Sequence, residues 1–141
     1  LYRYDYEFSA LDSLSDPSNY EGLKPMQVKD LKYQVSLFPS FDPTCTWTVY
    51  KDRDGWLVRR VCWHRTSSLS ELGSNTYAAD SRIDNLIGDE LCECLSKVNV
   101  KAFSYPSALG LDGVSYGVKM TEHYYNVELY WWCKAPQGWE E

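Results

Sequence analysis

The sequence predicts an α+β domain, an antiparallel sheet of about five strands with one long helix packed on a face and a short C-terminal helix. Two observations carry this reading. Several short runs alternate apolar with polar residues, the period of a strand exposed on one side. One stretch, Ile83 to Val98, instead repeats its apolar residues at three- and four-residue steps, the period of an amphipathic helix. No repeat, linker or low-complexity segment interrupts the chain, so residues 1–141 read as a single domain.

Near the N-terminus Tyr4, Tyr6 and Phe8 alternate with Arg3, Asp5 and Glu7, which reads as a short strand, and "SDPSNYEG" is turn chemistry. Leu31, Tyr33, Val35 and Leu37 alternate more cleanly, and Pro39 and Pro43 end that strand because proline cannot donate to a ladder. Cys45–Lys51 and Trp56–Arg65 flank "DRDG", a hairpin signal in which Gly55 supplies a positive φ. Both faces of the second arm are partly apolar, which places it centrally or under cover on both sides. "TSSLSELGSNTYAAD" reads as a break, followed by a capping-box-like Ser81 and Asp84 at the head of the long helix. Gly88 should weaken that helix by up to ~1 kcal/mol relative to alanine. Val114–Met120 and Asn126–Trp132 are two closing strands, and Pro136 suits the first turn of the terminal helix.

The chain has 20 acidic and 14 basic residues, a net charge of −6. Such a chain is repelled by phosphate backbones and anionic membranes unless its bases cluster, and only "RDGWLVRR" approaches a cluster. A basic protein is the partner this charge favours. No apolar run reaches the ~18 residues of a membrane span and no signal-peptide pattern is present, although the chain opens at Leu1 rather than Met. The five cysteines are scattered and odd in number, which fits reduced thiols and a cytoplasmic setting, with one bridge and a free odd member as the alternative.

Aromatic content is high, with 12 Tyr and 6 Trp. Neighbouring residues on a strand point to opposite faces, so Trp131 and Trp132 cannot share one. Trp131 goes with Val127 and Leu129, a core face under the long helix; Trp132 goes with Glu128 and Tyr130. Two readings of that second face stay open. Trp139 could fold back on Trp132 and fasten the C-terminus, or Tyr130 and Trp132 could form an exposed platform beside Glu128. Aromatics of that kind dominate binding energy at many interfaces.

The segments "LGLDGVSYGVKM", "VELYWW" and "PQGWEE" resemble the C-terminal half of small, mostly uncharacterised bacterial proteins that carry Leu-Asp-Gly-x-x-Tyr, an aromatic strand ending in Trp, and Pro-x-x-Trp opening a helix. The similarity spans Gly110 to Glu141. Some small acidic proteins of this kind are suspected immunity partners of polymorphic toxins, so the resemblance implies binding rather than catalysis and carries over no catalytic residue.

Chemistry is harder to find. Cys62 and His64 share a strand face, but Cys92 and Cys94 lie about 200° apart around a helix, so these four match no zinc spacing, and no metal or cofactor is expected. Only two histidines, His64 and His123, could serve a nucleophile, and nothing selects a carboxylate pair from Asp52, Asp54, Asp112, Glu122 and Glu128. Dinucleotide, P-loop, nucleophile-elbow and zinc-protease motifs are missing. The chain therefore reads as a non-catalytic protein-binding module, in its sharpest form an immunity or antitoxin-type protein blocking a basic partner. The contact residues expected are Tyr130, Trp132 and Glu128, with Glu122, His123, Tyr124 and Tyr125 in the adjoining turn. The alternative is a domain binding a small, carbohydrate-like ligand. An aromatic-lined cleft of about 300 Å³ or more would favour it, whereas a flat aromatic patch would favour the protein partner.

Overall fold

The computed structural model describes residues 2–65, 75–101, 112–122 and 125–136, with the side chains of residues 2–6 and of Tyr125 left aside. Its elements are α1 (Tyr2–Ser15), β1 (Leu31–Pro39), β2 (Thr44–Asp52), β3 (Gly55–Trp63), β4 (Thr76–Ile83), α2 (Asn85–Ser96), β5 (Val114–Glu122) and β6 (Tyr125–Trp132). Short 3-10 turns at Pro17–Asn19 and Val28–Asp30 join α1 to β1. All six strands lie in one antiparallel sheet in the order β4-β3-β2-β1-β5-β6.

This corrects the expected architecture in four places. The sheet has six strands rather than five. The extra one, β4, lies where a break was expected; its small and polar residues carry little hydrophobic pattern, and register against β3 organises it, Ala78 opposite Val61 and Asp80 opposite Arg59. The N-terminal segment is a helix, not a strand. Its Tyr/charge alternation imitates a period of two, while burial selects Ala10 and Leu14, one helical turn apart. Finally, no single long helix dominates: α1 has 14 residues and α2 has 12. The N-cap of α2 is Asp84, whose carboxylate accepts from the Leu86 amide at 2.8 Å. Ile83 belongs to β4. The terminal helix expected after Pro136 lies outside the described residues.

The two faces of the sheet are covered differently. On one, α1 and residues 17–30 lie over β1–β3. The buried Gln34 donates to Thr48 Oγ1 at 2.7 Å and to the carbonyls of Leu14 and Ser15 at 3.2 and 3.4 Å, satisfying the last turn of α1. Arg59, fully buried on the same face, forks onto Asp80 (Nε–Oδ1 2.7 Å, Nη2–Oδ2 2.8 Å) and donates to the carbonyls of Pro17, Ser18 and Lys24. On the other face, α2 packs on β3 through Gly88, Cys92 and Leu95. Gly88 sits against the indole of Trp56, and a Cβ there would overlap the ring. Leu86, Ile87 and Leu91, part of the stripe expected to pack, point outward instead, with Leu86 80 % exposed. Lys51 and the Trp56 indole N–H both reach Asp89, which pins the helix from its polar side.

Five cysteines do not stay reduced together. Cys45 and Cys62, paired across β2 and β3, form a disulfide, and Cys92, Cys94 and Cys133 are free. The Cα atoms of the bridged pair are 4.3 Å apart, the spacing of a close cross-strand pair.

Asp52 closes the β2–β3 hairpin end. Its carboxylate, 8 % exposed, accepts a bidentate fork from Arg82 at 2.8 and 2.9 Å, Lys24 at 3.2 Å and the Asp54 amide at 2.9 Å. The Arg82 guanidinium first, then Lys24 and the amide, hold its carboxyl well below the usual carboxylate range. A carboxyl with a depressed folded pKa stabilises fully above its unfolded value near ~4, and that contribution fades as pH falls through the folded value. Asp52→Asn is expected to cost on the order of 1–2 kcal/mol near neutral pH, since Arg82 and Lys24 are partly solvated. Thermal melts should show the gap from wild type shrinking as the pH falls below about 4.

Candidate functional site

The aromatic end of β6 is built by register. β6 pairs with β5, which sets Glu128 opposite Lys119, Tyr130 opposite Gly117 and Trp132 opposite Ser115. Alternation then puts Glu128, Tyr130 and Trp132 on the sheet face that α1 covers only farther in, over β2 and β3. Glycines make the seats. A Cβ on Gly117 would lie 2.6 Å from Tyr130 Cε1, so one edge of the phenol ring sits against bare backbone beside Ser36. Gly113 does the same for the Trp132 indole, with 2.6 Å to Cζ2. Tyr130 is 60 % exposed, and Trp132 is half-buried. Cys133 turns the chain away at once with φ +54°, its amide donating to the Val114 carbonyl at 2.8 Å.

The expected contact set is only partly brought together. Glu128, Tyr130 and Trp132 share the platform. Glu122 ends β5 on the opposite face, in step with Met120, and Tyr125 pairs with it across the strands. His123 and Tyr124 lie outside the described residues. Trp131 is not under α2, which packs on β3: it stacks on Tyr116 across β5 and β6, with ring centres 5.6 Å apart and planes 15° apart. The carboxylates are also less free than composition suggested. Glu128 pairs with Lys119 at 3.2 Å and Glu122 approaches Lys32 at 4.0 Å.

Two clefts were not legible as sites. One, of about 570 Å³, opens beside α1 between Phe8, Asp12, Asp16, Asn19 and Tyr20. Its elements are split between a helix mistaken for a strand and a turn, so no sequence pattern joined them. The Tyr20 hydroxyl is already committed to the Thr76 carbonyl at 2.7 Å and Asp16 accepts from the Ser18 amide. The other, of about 370 Å³, lies over the Cys45–Cys62 bridge, with Arg60, His64 and Tyr77 around it. The Cys62-x-His64 spacing was its one sequence signal. Among the described residues no group of three or more His, Cys, Asp or Glu side chains could hold a metal ion, and no helix is long and apolar enough to cross a membrane.

No family model, no curated protein and no solved structure matches the chain.

Proposed function

We propose that this protein is a non-catalytic binding module that recognises another protein through the aromatic end of β6. The observation that carries the reading is Tyr130: a large amphipathic ring, 60 % exposed, seated against Gly117 with the Trp132 indole two residues on. Rigid aromatics of that kind supply contact area at low entropic cost, and their burial by a partner gives hot-spot energies. The platform lines neither of these two clefts, and an exposed aromatic outside them fits a protein surface better than a small ligand.

The sharper form is an immunity or antitoxin-type protein that blocks a basic partner. The net charge of −6 supports it, together with the C-terminal resemblance in Gly110–Glu141. Glu128 and Glu122 add little to steering because each has a lysine beside it, so attraction to a basic partner rests on the charge of the whole chain. A cytoplasmic setting belongs to this reading, although the Cys45–Cys62 bridge weighs against it.

A second reading has its own observation. The cleft beside α1 combines the aromatic rings Phe8 and Tyr20 with Asp12, Asp16 and Asn19, the groups that stack on and hydrogen-bond a sugar. Phe8, 69 % exposed, is its most accessible ring.

Affinity capture with wild type and Tyr130→Ser as paired baits tests the main reading. Tyr130 is exposed, so the substitution should change stability by no more than about 0.5 kcal/mol, and a genuine partner should be lost from the variant alone. Equal capture by both baits would sink the platform as the binding surface.

A further inference from the structure

The cleft over the Cys45–Cys62 bridge combines three features that structural packing does not require. The bridge is buried, Cys45 6 % and Cys62 7 % exposed, yet both cysteines line the floor of a cavity of about 370 Å³. The Arg60 guanidinium, seated over the Trp47 ring with 5.8 Å to its centre, donates to Cys45 Sγ at 3.8 Å. His64, just past the end of β3, lines the same cavity as Cys62 and packs edge-on against Tyr77, ring centres 5.7 Å apart.

We infer that Cys45–Cys62 is a thiol-exchange site that takes a small, carboxylate-bearing thiol, with Cys62 as the sulfur attacked and Cys45 as the leaving group. The direction follows from the topology. The bond runs across the strands from β2 to β3, and its extension beyond Cys62 points toward β4, where Tyr77 and Ala79 border the open cleft. Attack on a disulfide proceeds through a mixed-disulfide intermediate, and a better-stabilised leaving thiolate departs faster. Arg60 touches Cys45 and so stabilises the thiolate formed there. Among the described residues the charged or titratable side chains around the cavity besides the bridge and Tyr77 are Arg60 and His64, and none of the described lining residues is a carboxylate, which suits an anionic thiol.

The thiolate of the incoming molecule bonds to Cys62 Sγ, the Cys45–Cys62 bond breaks, and its electron pair leaves on Cys45 Sγ beside Arg60. The proton shed by the incoming thiol passes to His64 or to water. A second equivalent of the same thiol attacks the sulfur of the bound one and releases Cys62 as a thiolate. The small thiol departs as its own disulfide, so two thiols are oxidised as the protein bridge is reduced.

The test exposes folded, oxidised protein to reduced glutathione or to cysteamine at equal thiolate concentration. Reactions are quenched with iodoacetamide and peptide-mapped. The expected result is a glutathione adduct on Cys62 with alkylated Cys45, formed faster than the cysteamine adduct. Arg60→Gln should slow it on the order of tenfold, and Arg60→Lys should recover part of the rate. Arg60 is exposed, so neither variant threatens the fold. The inference is overturned by any of four results: five titratable thiols in the oxidised protein, an adduct on Cys45, exchange only at denaturant concentrations that unfold the chain, or an unchanged rate in Arg60→Gln.

Discussion

Replacing Arg59 with alanine is expected to be the most damaging single change, costing about 3–5 kcal/mol, the range for removing one partner of a buried ion pair. That is a large share of the ~5–15 kcal/mol that holds a domain together. A guanidinium has five N–H groups, and Arg59, with no exposed surface, spends them on five contacts: two on Asp80, one each on Pro17, Ser18 and Lys24. Three of these acceptors are backbone carbonyls of the segment between α1 and β1. Alanine would therefore strand Asp80 and release the segment that covers this face. Arg59→Lys keeps the charge but loses the fork, so it should recover only part of the stability. Urea unfolding of the three proteins checks this; wild-type stability in either variant would mean the network is not structural.

Gly88→Ala carries the second large effect, and its sign is what makes it informative. In an exposed helix the change stabilises by up to ~1 kcal/mol. Here a methyl group would overlap the Trp56 ring, which is itself buried and hydrogen-bonded to Asp89. The expected result is a loss of about 1–3 kcal/mol, as for overpacked cores, with a change in the near-ultraviolet signal of Trp56. A stabilised variant would place α2 off this face.

Gly88 also shows why parts of the fold escaped the sequence. Periodicity reports that a helix is amphipathic, but not which flank docks. In α2 the contact comes from Gly88, Cys92 and Leu95, roughly a quarter-turn from the Ile87–Leu91 stripe. β4 escaped for a different reason: as an edge strand of alanine, serine and charged residues, it is held by pairing with β3 rather than by its own pattern. The strands read correctly, β1, the β2–β3 hairpin, β5 and β6, show clean alternation, helped at the hairpin by turn chemistry such as Gly55 at φ +113°.

The site was legible to the same depth. Alternation alone puts Glu128, Tyr130 and Trp132 on one face, and it equally puts Glu122 on the other once the register is known. What it cannot supply is the cross-strand environment, because the Lys119 beside Glu128 and the glycine seats of both rings come from a neighbouring strand.

The binding reading is tested most directly by titrating a captured partner with wild type, Tyr130→Ser and Phe8→Ser in a calorimeter. The platform account predicts that Tyr130→Ser weakens Kd by roughly 30-fold or more, a hot-spot loss, while Phe8→Ser, on α1, leaves it unchanged. An unchanged Kd in Tyr130→Ser would contradict the account, and a loss confined to Phe8→Ser would move the site to the cleft beside α1.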